Sequence, residues 1–393
     1  MRYLLLRLKR FCGFITGFIF FLSGIFKLLD PVGAGLVMEE YFNFLHVDFM
    51  APAAKITGTL LALTETVLGA GLITGVWRRI IAPAAIAIQG FFTLVTLLLV
   101  IFNPQMDCGC FGEVIHLTHM ETFVKNILML VLLLTYYIPA KHLGKTRRRK
   151  YVSFSIVLTS VFLFTIYSWM HIPLTDFTDF KPAAALQAGN AFGTPQEDMY
   201  EAVFLYEKDG QQQAFTLGHL PDTTWTFVST ETRLKEGYDN SLVNLSFHDS
   251  MGRYQDSLAT IGKVMVISLY DTDIKASQWA RTAALINASE EQGFTPVTLF
   301  SGKMEDIPEE LRRTAFHADR KTLLSLNRAN GGATFFNDGF LIRKWSARSL
   351  PDRKELKELY EGDATETIIG HSSQSSLIFQ SFLLYVFAVM LLL

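Results

Sequence analysis

The sequence predicts a polytopic α-helical membrane protein that also carries an α/β domain outside the membrane. Half of its 393 residues are hydrophobic and only 18% are charged, whereas soluble proteins carry about 25% charged residues. The apolar residues concentrate in residues 11–140, 151–170 and 375–393, and the stretch between the last two has the composition of a soluble protein. The net charge of −2 indicates no class of partner, because the charges are segregated by region.

Long apolar runs predict the membrane-spanning helices. A helix needs roughly 20 mostly apolar residues to cross a bilayer. Six runs come close to this length with their neighbours, and they occupy residues 11–26, 56–76, 80–102, 123–140, 151–170 and 376–393. Six such runs would give a soluble protein an implausibly apolar core, so we expect six membrane spans.

Basic residues predict the orientation of these spans, because Lys and Arg accumulate on the cytoplasmic side of a membrane. The basic clusters alternate with loops that lack Lys and Arg, at 31–54 and 103–122. The clusters comprise Arg2, Arg7, Lys9, Arg10, Arg78, Arg79 and the segment KHLGKTRRRK at 141–150. The pattern predicts a bacterial inner-membrane protein with both termini in the cytoplasm and residues 171–374 in the periplasm.

The stretch NPQMDCGCFG, residues 103–112 and hereafter the Cys loop, holds two of the three cysteines. Disulfides form and persist in the periplasm, where this loop is predicted to lie. A disulfide across one intervening residue is tight, and strained disulfides are more easily reduced. Cys108 and Cys110 therefore suggest a redox pair that exchanges with a client protein, with a membrane quinone as a candidate electron partner. Cys12 lies a membrane thickness away and cannot resolve this pair.

Two other interpretations of the Cys loop stay open. The cysteines could form a static disulfide, or act as small buried residues that shape the loop. Cys108, Cys110, His116 and His119 also give the spacing C-x-C-x5-H-x2-H. Two thiolates and two imidazoles suit a tetrahedral zinc or a copper site. The spacing is unusual, so neither metal is expected as a resident cofactor.

Two ionisable residues fall within the predicted spans, where charges are costly and usually face a partner. Lys27 closes the first span, and Glu65 lies inside the second span in ALTETVLGAG. Lys27 could extend to the membrane surface, while Glu65 could pair with Lys27 or stay protonated. We treat both as supporting polar residues of the bundle.

Four motifs along the first spans belong together: SGIFKLLDP, ETVLGAGLITGVWRR, MDCGCFG and THMETFVKNILML. This combination resembles the DoxX-like membrane proteins and, more narrowly, the branch that contains the methylamine utilisation protein MauE. The resemblance covers about residues 8–140 and implies a four-helix membrane bundle. It also implies a part in the maturation of a disulfide-rich periplasmic enzyme.

The periplasmic segment has the pattern of an α/β domain. Two strands flank the turn Lys208-Asp209-Gly210, and another hairpin at 331–345 surrounds Asn337-Asp338-Gly339. Between them, VMVISLY and PVTLFSG predict buried strands on either side of a helix at 279–294. The resulting order is strand, helix, strand, helix and hairpin.

This order, and the segment SFHDSMGRYQDSLATIGKVMVISLY, resembles membrane-tethered periplasmic thioredoxin-like proteins. Such proteins carry Cys-x-x-Cys after the first of these strands and a cis-proline before the hairpin. The corresponding residues here are Ile274, Lys275, Ala276, Ser277 and Gly331. No cysteine occurs from residue 111 to the end of the chain, so the resemblance implies a domain without thiol activity. An unrelated α/β fold is the alternative.

The sequence thus divides into regions with distinct expected roles. They are the bundle (1–140), the basic loop and fifth span (141–170), a linker (171–194), the thioredoxin-like domain (195–372) and the sixth span (373–393). The leading hypothesis is an envelope disulfide-maturation factor, a thiol-disulfide oxidoreductase if it is an enzyme. The alternatives are a non-enzymatic scaffold that presents the redox-inactive domain to envelope partners, and a metal- or small-molecule-binding membrane protein. No nucleic-acid partner is expected.

Overall fold

The computed structural model describes residues 2–104, 106–138, 146–187, 200–208, 211–216, 221, 224–234 and 242–392. Three features of the sequence lie wholly or partly outside these residues: KHLGK at 141–145, the end of the predicted linker at 188–194, and the turn residues Asp209 and Gly210.

Ten α-helices occur in the described residues. They are α1 (Arg2–Leu29), α2 (Pro31–Phe44), α3 (Ala54–Thr74), α4 (Arg78–Phe102), α5 (His119–Tyr137), α6 (Arg148–Met170), α7 (Ala276–Glu291), α8 (Arg320–Leu326), α9 (Arg353–Glu361) and α10 (Ala364–Leu392). Six of them, namely α1, α3, α4, α5, α6 and α10, are long and apolar enough to cross a membrane. The prediction of six spans is confirmed, although the last helix begins at Ala364 instead of residue 376.

Twelve strands occur in the described residues. They are β1 (Cys110–Glu113), β2 (Ala185–Leu186), β3 (Tyr200–Lys208), β4 (Gln211–Thr216), β5 (Thr226–Leu234), β6 (Leu242–Val243), β7 (Phe247–His248), β8 (Lys263–Leu269), β9 (Thr295–Phe300), β10 (Ala315–Ala318), β11 (Gly332–Asn337) and β12 (Phe340–Trp345).

Helix α2 is a feature that the sequence analysis did not predict. It fills most of the loop between the first two spans and begins with a proline, whose missing N–H is no loss at that position. The carboxylate of Asp30 accepts a hydrogen bond from the Gly33 N–H at 2.9 Å and so caps the helix. This places α2 beside the Cys loop.

Helices α1 and α3 approach each other at glycines. A Cβ atom added to Gly24 would lie 2.1 Å from Oγ1 of Thr66, and one added to Gly69 would lie 2.4 Å from the backbone nitrogen of Phe21. Small residues allow such close contact between membrane helices. The close contact brings the side chains of α1 and α3 into reach of each other inside the bundle.

The basic residues gather at one end of the bundle, hereafter the basic end. There Nζ of Lys9 donates to the carbonyl of Ile138 at 2.7 Å, and Oγ1 of Thr146 donates to the carbonyl of Gly75 at 2.6 Å. The Cys loop lies where α4 ends and α5 begins, at the opposite end, hereafter the loop end.

The two additional spans, α6 and α10, pack against each other and against the face of α1 and α3. The rings of Phe164 and Phe382 stack with centroids 4.5 Å apart. Ser153 Oγ donates to the carbonyl of Val389 at 2.6 Å. One apolar cluster joins all four helices, so the two later spans are part of the same membrane body.

The α/β domain is built on an eight-stranded sheet in the order β6-β2-β12-β11-β8-β9-β10-β7. Strands β8 and β9 are parallel, and β11 is antiparallel to both β8 and β12. The predicted strands, helix and second hairpin are present, with α7 beginning at Ala276 instead of residue 279. The stretch predicted as a linker contributes β2 to this sheet.

A separate three-stranded sheet has the order β4-β3-β5. Strands β3 and β4 are the two arms of the predicted hairpin, and their pairing runs from Val203 opposite Thr216 to Lys208 opposite Gln211.

Candidate functional site

The Cys loop carries two free thiols with different exposure. Cys108 is buried, Cys110 is half-buried at the start of β1, and neither forms a disulfide. Cys12 is also a free thiol, but it is buried in α1 in the apolar cluster that contains Tyr136, towards the basic end. The structure therefore keeps Cys108 and Cys110 together and separates Cys12 from them.

Hydrogen bonds from two helices fix the backbone of the Cys loop. The Tyr41 hydroxyl of α2 donates to the carbonyl of Cys108 at 2.8 Å. The Ser23 hydroxyl of α1 lies 2.6 Å from the carbonyl of Cys110. Burial, with smaller contributions from Cys110 and Cys108, raises the pKa of Tyr41 far above its usual range, so this hydroxyl keeps its proton. Both cysteines are thus held by fixed neighbours.

Gly109 sits between the cysteines in a conformation that suits only glycine. Its φ is +57°, and an added Cβ would lie 2.2 Å from Cγ1 of Val37 in α2. The loop can therefore pack against α2 only because this residue has no side chain.

We expect Gly109→Ala to destabilise the loop end by about 1–3 kcal/mol, because the methyl group adds both a clash and backbone strain. Gly90→Ala is the matched control, since an added Cβ there meets no atom within 4 Å. Thermal unfolding in detergent micelles tests the pair. Equal midpoints for the two variants would contradict the packing described here.

An ion pair lies inside the bundle directly beneath the Cys loop. Nζ of Lys27 is 2.7 Å from Oε1 and 2.9 Å from Oε2 of Glu65, and the side chains are 11% and 1% exposed. The Ser23 hydroxyl lies 2.7 Å from Oε2 of Glu65 as well as near the carbonyl of Cys110. Its single hydrogen can serve only one acceptor at a time. Ser23 therefore lies between the ion pair and the loop and can donate to either of them.

The thiol of Cys108 is in an environment that favours its protonated form. Burial raises its pKa above the ordinary thiol value. Lys125 acts in the opposite direction, whereas Cys110 adds to the rise. At neutral pH Cys108 is accordingly a thiol, and Cys110 is the more exposed of the two residues.

This environment predicts a pH dependence for alkylation. In a chain with Cys12→Ser and Cys110→Ser, the rate of Cys108 alkylation should rise with pH through a midpoint above that of the same chain in denaturant, because only the thiolate reacts. Alkylation reactions quenched at fixed times and quantified by mass spectrometry give the rate at each pH, and hence both midpoints. A folded-state midpoint at or below the denatured one would show that burial does not control this thiol.

The two histidines of the proposed metal site do not join the cysteines. Nδ1 of His116 lies 3.2 Å from Oδ2 of Asp107. Nδ1 of His119 lies 3.3 Å from Oδ1 of Asn103, and its Nε2 lies 2.9 Å from the carbonyl oxygen of Met106. In the part of the chain that the structure describes, no three His, Cys, Asp or Glu side chains come together as metal ligands. The spacing that suggested zinc or copper has no counterpart in this geometry.

A cavity of about 310 Å³ lies among α1 to α5 at the loop end. Cys108, Gly109 and Cys110 line the side of the cavity that faces the Cys loop, hereafter its roof. Its inner wall contains the Lys27–Glu65 pair, and the rest of the lining is mostly apolar. The thiols therefore border a space within the membrane bundle.

Comparison with protein families covers the same part of the chain. The model described as methylamine utilisation protein MauE matches this chain over residues 3–139. The resemblance stated for about residues 8–140 is thereby confirmed for MauE, and the MauE-like region contains both cysteines, the ion pair and the cavity. Residues 200–237 match a model described only as a domain of unknown function, DUF8463. No curated protein and no solved structure matches the chain.

The residues predicted to correspond to the thioredoxin motif lie together in the α/β domain. Ile274 to Ser277 lead into α7, with Lys275 at its N-cap position. Gly331 has a φ of +77° and donates its N–H to the carbonyl of Ser268 at 2.7 Å. A Cβ added to Gly331 would lie 2.5 Å from Nε2 of Gln278, in the first turn of α7. This junction carries no thiol.

The α/β domain contacts the loop end through ion pairs that the sequence analysis missed. The guanidinium of Arg328 lies 2.8 Å from Asp30 and 3.0 Å from Glu113, the last residue of β1. Although burial lowers the pKa of Arg328, the attraction of Asp30 and Glu113 raises it overall. Arg320 and Lys321 form further pairs with Glu39 and Glu40 of α2. The α/β domain is therefore joined to the bundle beside the Cys loop, through α2 and the end of β1.

Proposed function

We propose that this protein is a membrane-embedded accessory factor that transfers disulfides to envelope proteins through Cys108 and Cys110. The observation that carries the proposal is the pairing of one buried and one half-buried free thiol in a single fixed loop. A membrane-associated accessory role agrees with the match of residues 3–139 to MauE. We place the basic end in the cytoplasm and the Cys loop in the periplasm, following the distribution of Lys and Arg.

The two sulfurs have unequal roles in this proposal. In the oxidised form, a client thiolate attacks Sγ of Cys110, the Cys108–Cys110 bond breaks, and Cys108 leaves as a thiolate that takes up a proton. A second client thiolate then attacks the client sulfur of the mixed disulfide, which releases Cys110 and leaves the client oxidised. Burial raises the pKa of Cys108, which slows its departure as a thiolate, and the nearby Lys125 partly offsets this effect.

The α/β domain contributes contacts and no thiol. We propose that it is thioredoxin-like, which is supported by the order β12-β11-β8-β9, the parallel pairing of β8 with β9, and the position of Gly331 beside α7. It would cover the Cys loop and orient the client. If the cysteines prove dispensable, the contacts of Arg328 favour a second function, a scaffold that presents this domain to envelope partners.

Trapping tests the proposed exchange. The exchange is reversible, so in Cys108→Ser the Cys110 thiolate can attack the disulfide of an oxidised client and release one client thiolate. The resulting mixed disulfide should accumulate, because Cys108 is no longer present to attack Sγ of Cys110 and release the client, and Cys110→Ser should accumulate none. Cys12→Ser is the matched control and should behave like the unmodified chain, since Cys12 lies towards the basic end. Non-reducing electrophoresis and mass spectrometry of the adducts provide the readout. Full rescue of a deletion strain by both loop variants would favour the scaffold.

A further inference from the structure

The cavity beneath the Cys loop has apolar lining residues that are exposed at the surface of the bundle. Leu45, which follows α2, and Phe91 of the membrane helix α4 both line it, and they are 45% and 58% exposed. An apolar molecule dissolved in the bilayer could therefore enter sideways. A water-soluble ligand would have to cross the same apolar mouth and is disfavoured.

The inner wall of the cavity offers hydrogen-bond donors. Within the described residues, the acceptors found for Nζ of Lys27 are the two oxygens of Glu65, and an ammonium has three donors. Gln89 also lines the cavity and is 1% exposed. Glu65 balances Lys27, and Lys125 also lines the cavity with its Nζ 4.8 Å from the centre of the Phe111 ring, so the lining suits a head that accepts hydrogen bonds.

The position of the thiols indicates that an occupant of the cavity must be able to accept electrons from them. A pair that gives disulfides to clients must be reoxidised, and Cys108 and Cys110 form the roof of the cavity. An occupant that takes up two electrons and two protons could contact them from the membrane side while a client approaches Cys110 from the other side. An acyl chain could fill the apolar part but could not accept the electrons.

We infer that the cavity binds the head of a membrane isoprenoid quinone, which reoxidises the Cys108–Cys110 pair. This rests on the proposed function. The two S–H bonds break, one S–S bond forms, and the two electrons and two protons convert the quinone to the quinol. One quinone carbonyl accepts a hydrogen bond from Lys27, and the isoprenoid tail leaves between Leu45 and Phe91. The volume of about 310 Å³ is at the small end for ligand sites, as suits a head whose tail stays in lipid.

The test uses the full chain, reduced and reconstituted in nanodiscs without oxygen, with decylubiquinone as the probe. We expect one disulfide to form for each quinone reduced. The disulfide is measured by the mass shift on alkylation, and the quinone by its absorbance. Val95→Trp fills the cavity from α4 and should slow this reaction about tenfold or more. Leu94→Trp on the same helix, 57% exposed and outside the cavity lining, is the matched control and should leave the rate unchanged.

The outcomes separate this inference from the proposed function. If Val95→Trp matches Leu94→Trp, or if only phospholipid occupies the cavity and added quinone is neither bound nor reduced, the inference is overturned. Client trapping by Cys110 would still support the proposed function in that case. If quinone binds and Val95→Trp displaces it but no client adduct forms, the site is supported and the exchange reaction fails.

Discussion

Arg328→Met will loosen the α/β domain from the loop end of the bundle. The Arg328 side chain is 5% exposed and lies between Asp30 at 2.8 Å and Glu113 at 3.0 Å. Its removal leaves two partly buried carboxylates without their shared cation. Loss of one partner of such a buried network costs about 3–5 kcal/mol. We expect this loss to appear as a lower thermal midpoint and as faster hydrogen exchange across β1.

Arg320→Met provides the matched control for this prediction. Arg320 pairs with Glu39 at 3.5 Å, but its side chain is 49% exposed. An exposed pair of this kind contributes about 0–1 kcal/mol. Similar midpoints and exchange rates for the two variants would mean that the Arg328 contacts do not join the domain to the bundle.

Lys27→Met is expected to have an effect of comparable size within the membrane bundle. Glu65 is 1% exposed and has Lys27 as its cationic partner at 2.7 Å. Without that cation, a carboxylate at membrane depth is left uncompensated, at a cost of about 3–5 kcal/mol. Thermal unfolding in detergent should show a large loss, and the Cys loop should become more accessible to alkylation because Ser23 connects Glu65 to Cys110.

A double variant makes this prediction falsifiable even if the single variant folds poorly. Lys27→Met combined with Glu65→Met removes both charges and keeps the volume, and such replacements of buried pairs are often neutral or stabilising. Most of the lost stability should therefore return. If the double variant is as unstable as the single one, packing and not charge compensation explains the effect.

The sequence was sufficient to predict the membrane spans and the order of strands and helices in the α/β domain. Both depend on local composition and periodicity, which a chain carries in one dimension. The MauE resemblance was predictable for the same reason, because MDCGCFG and THMETFVKNILML are contiguous motifs. Helix α2 was missed, since its 14 residues lie in a loop between two spans, yet Asp30-Pro31 is the capping signal that could have indicated it.

The environment of the thiols could not be read from the sequence. Whether Lys27 pairs with Glu65 or reaches the membrane surface depends on the relative rotation of α1 and α3, which close approach at Gly24 and Gly69 fixes. The contact of Arg328 with Asp30 joins residues 298 positions apart and required the placement of the domain on the bundle. The cavity likewise arises from five helices and has no sequence signature.

The central claim is that Cys108 and Cys110 alternate between dithiol and disulfide. Its most direct test is differential alkylation of the full chain in intact cells, before and after a pulse of reductant and during recovery. We expect the loop cysteines to lose alkylation together as cells recover, whereas Cys12 stays fully alkylated in denaturant throughout. Loop thiols that remain reduced during recovery, or a disulfide that resists the pulse, would contradict it.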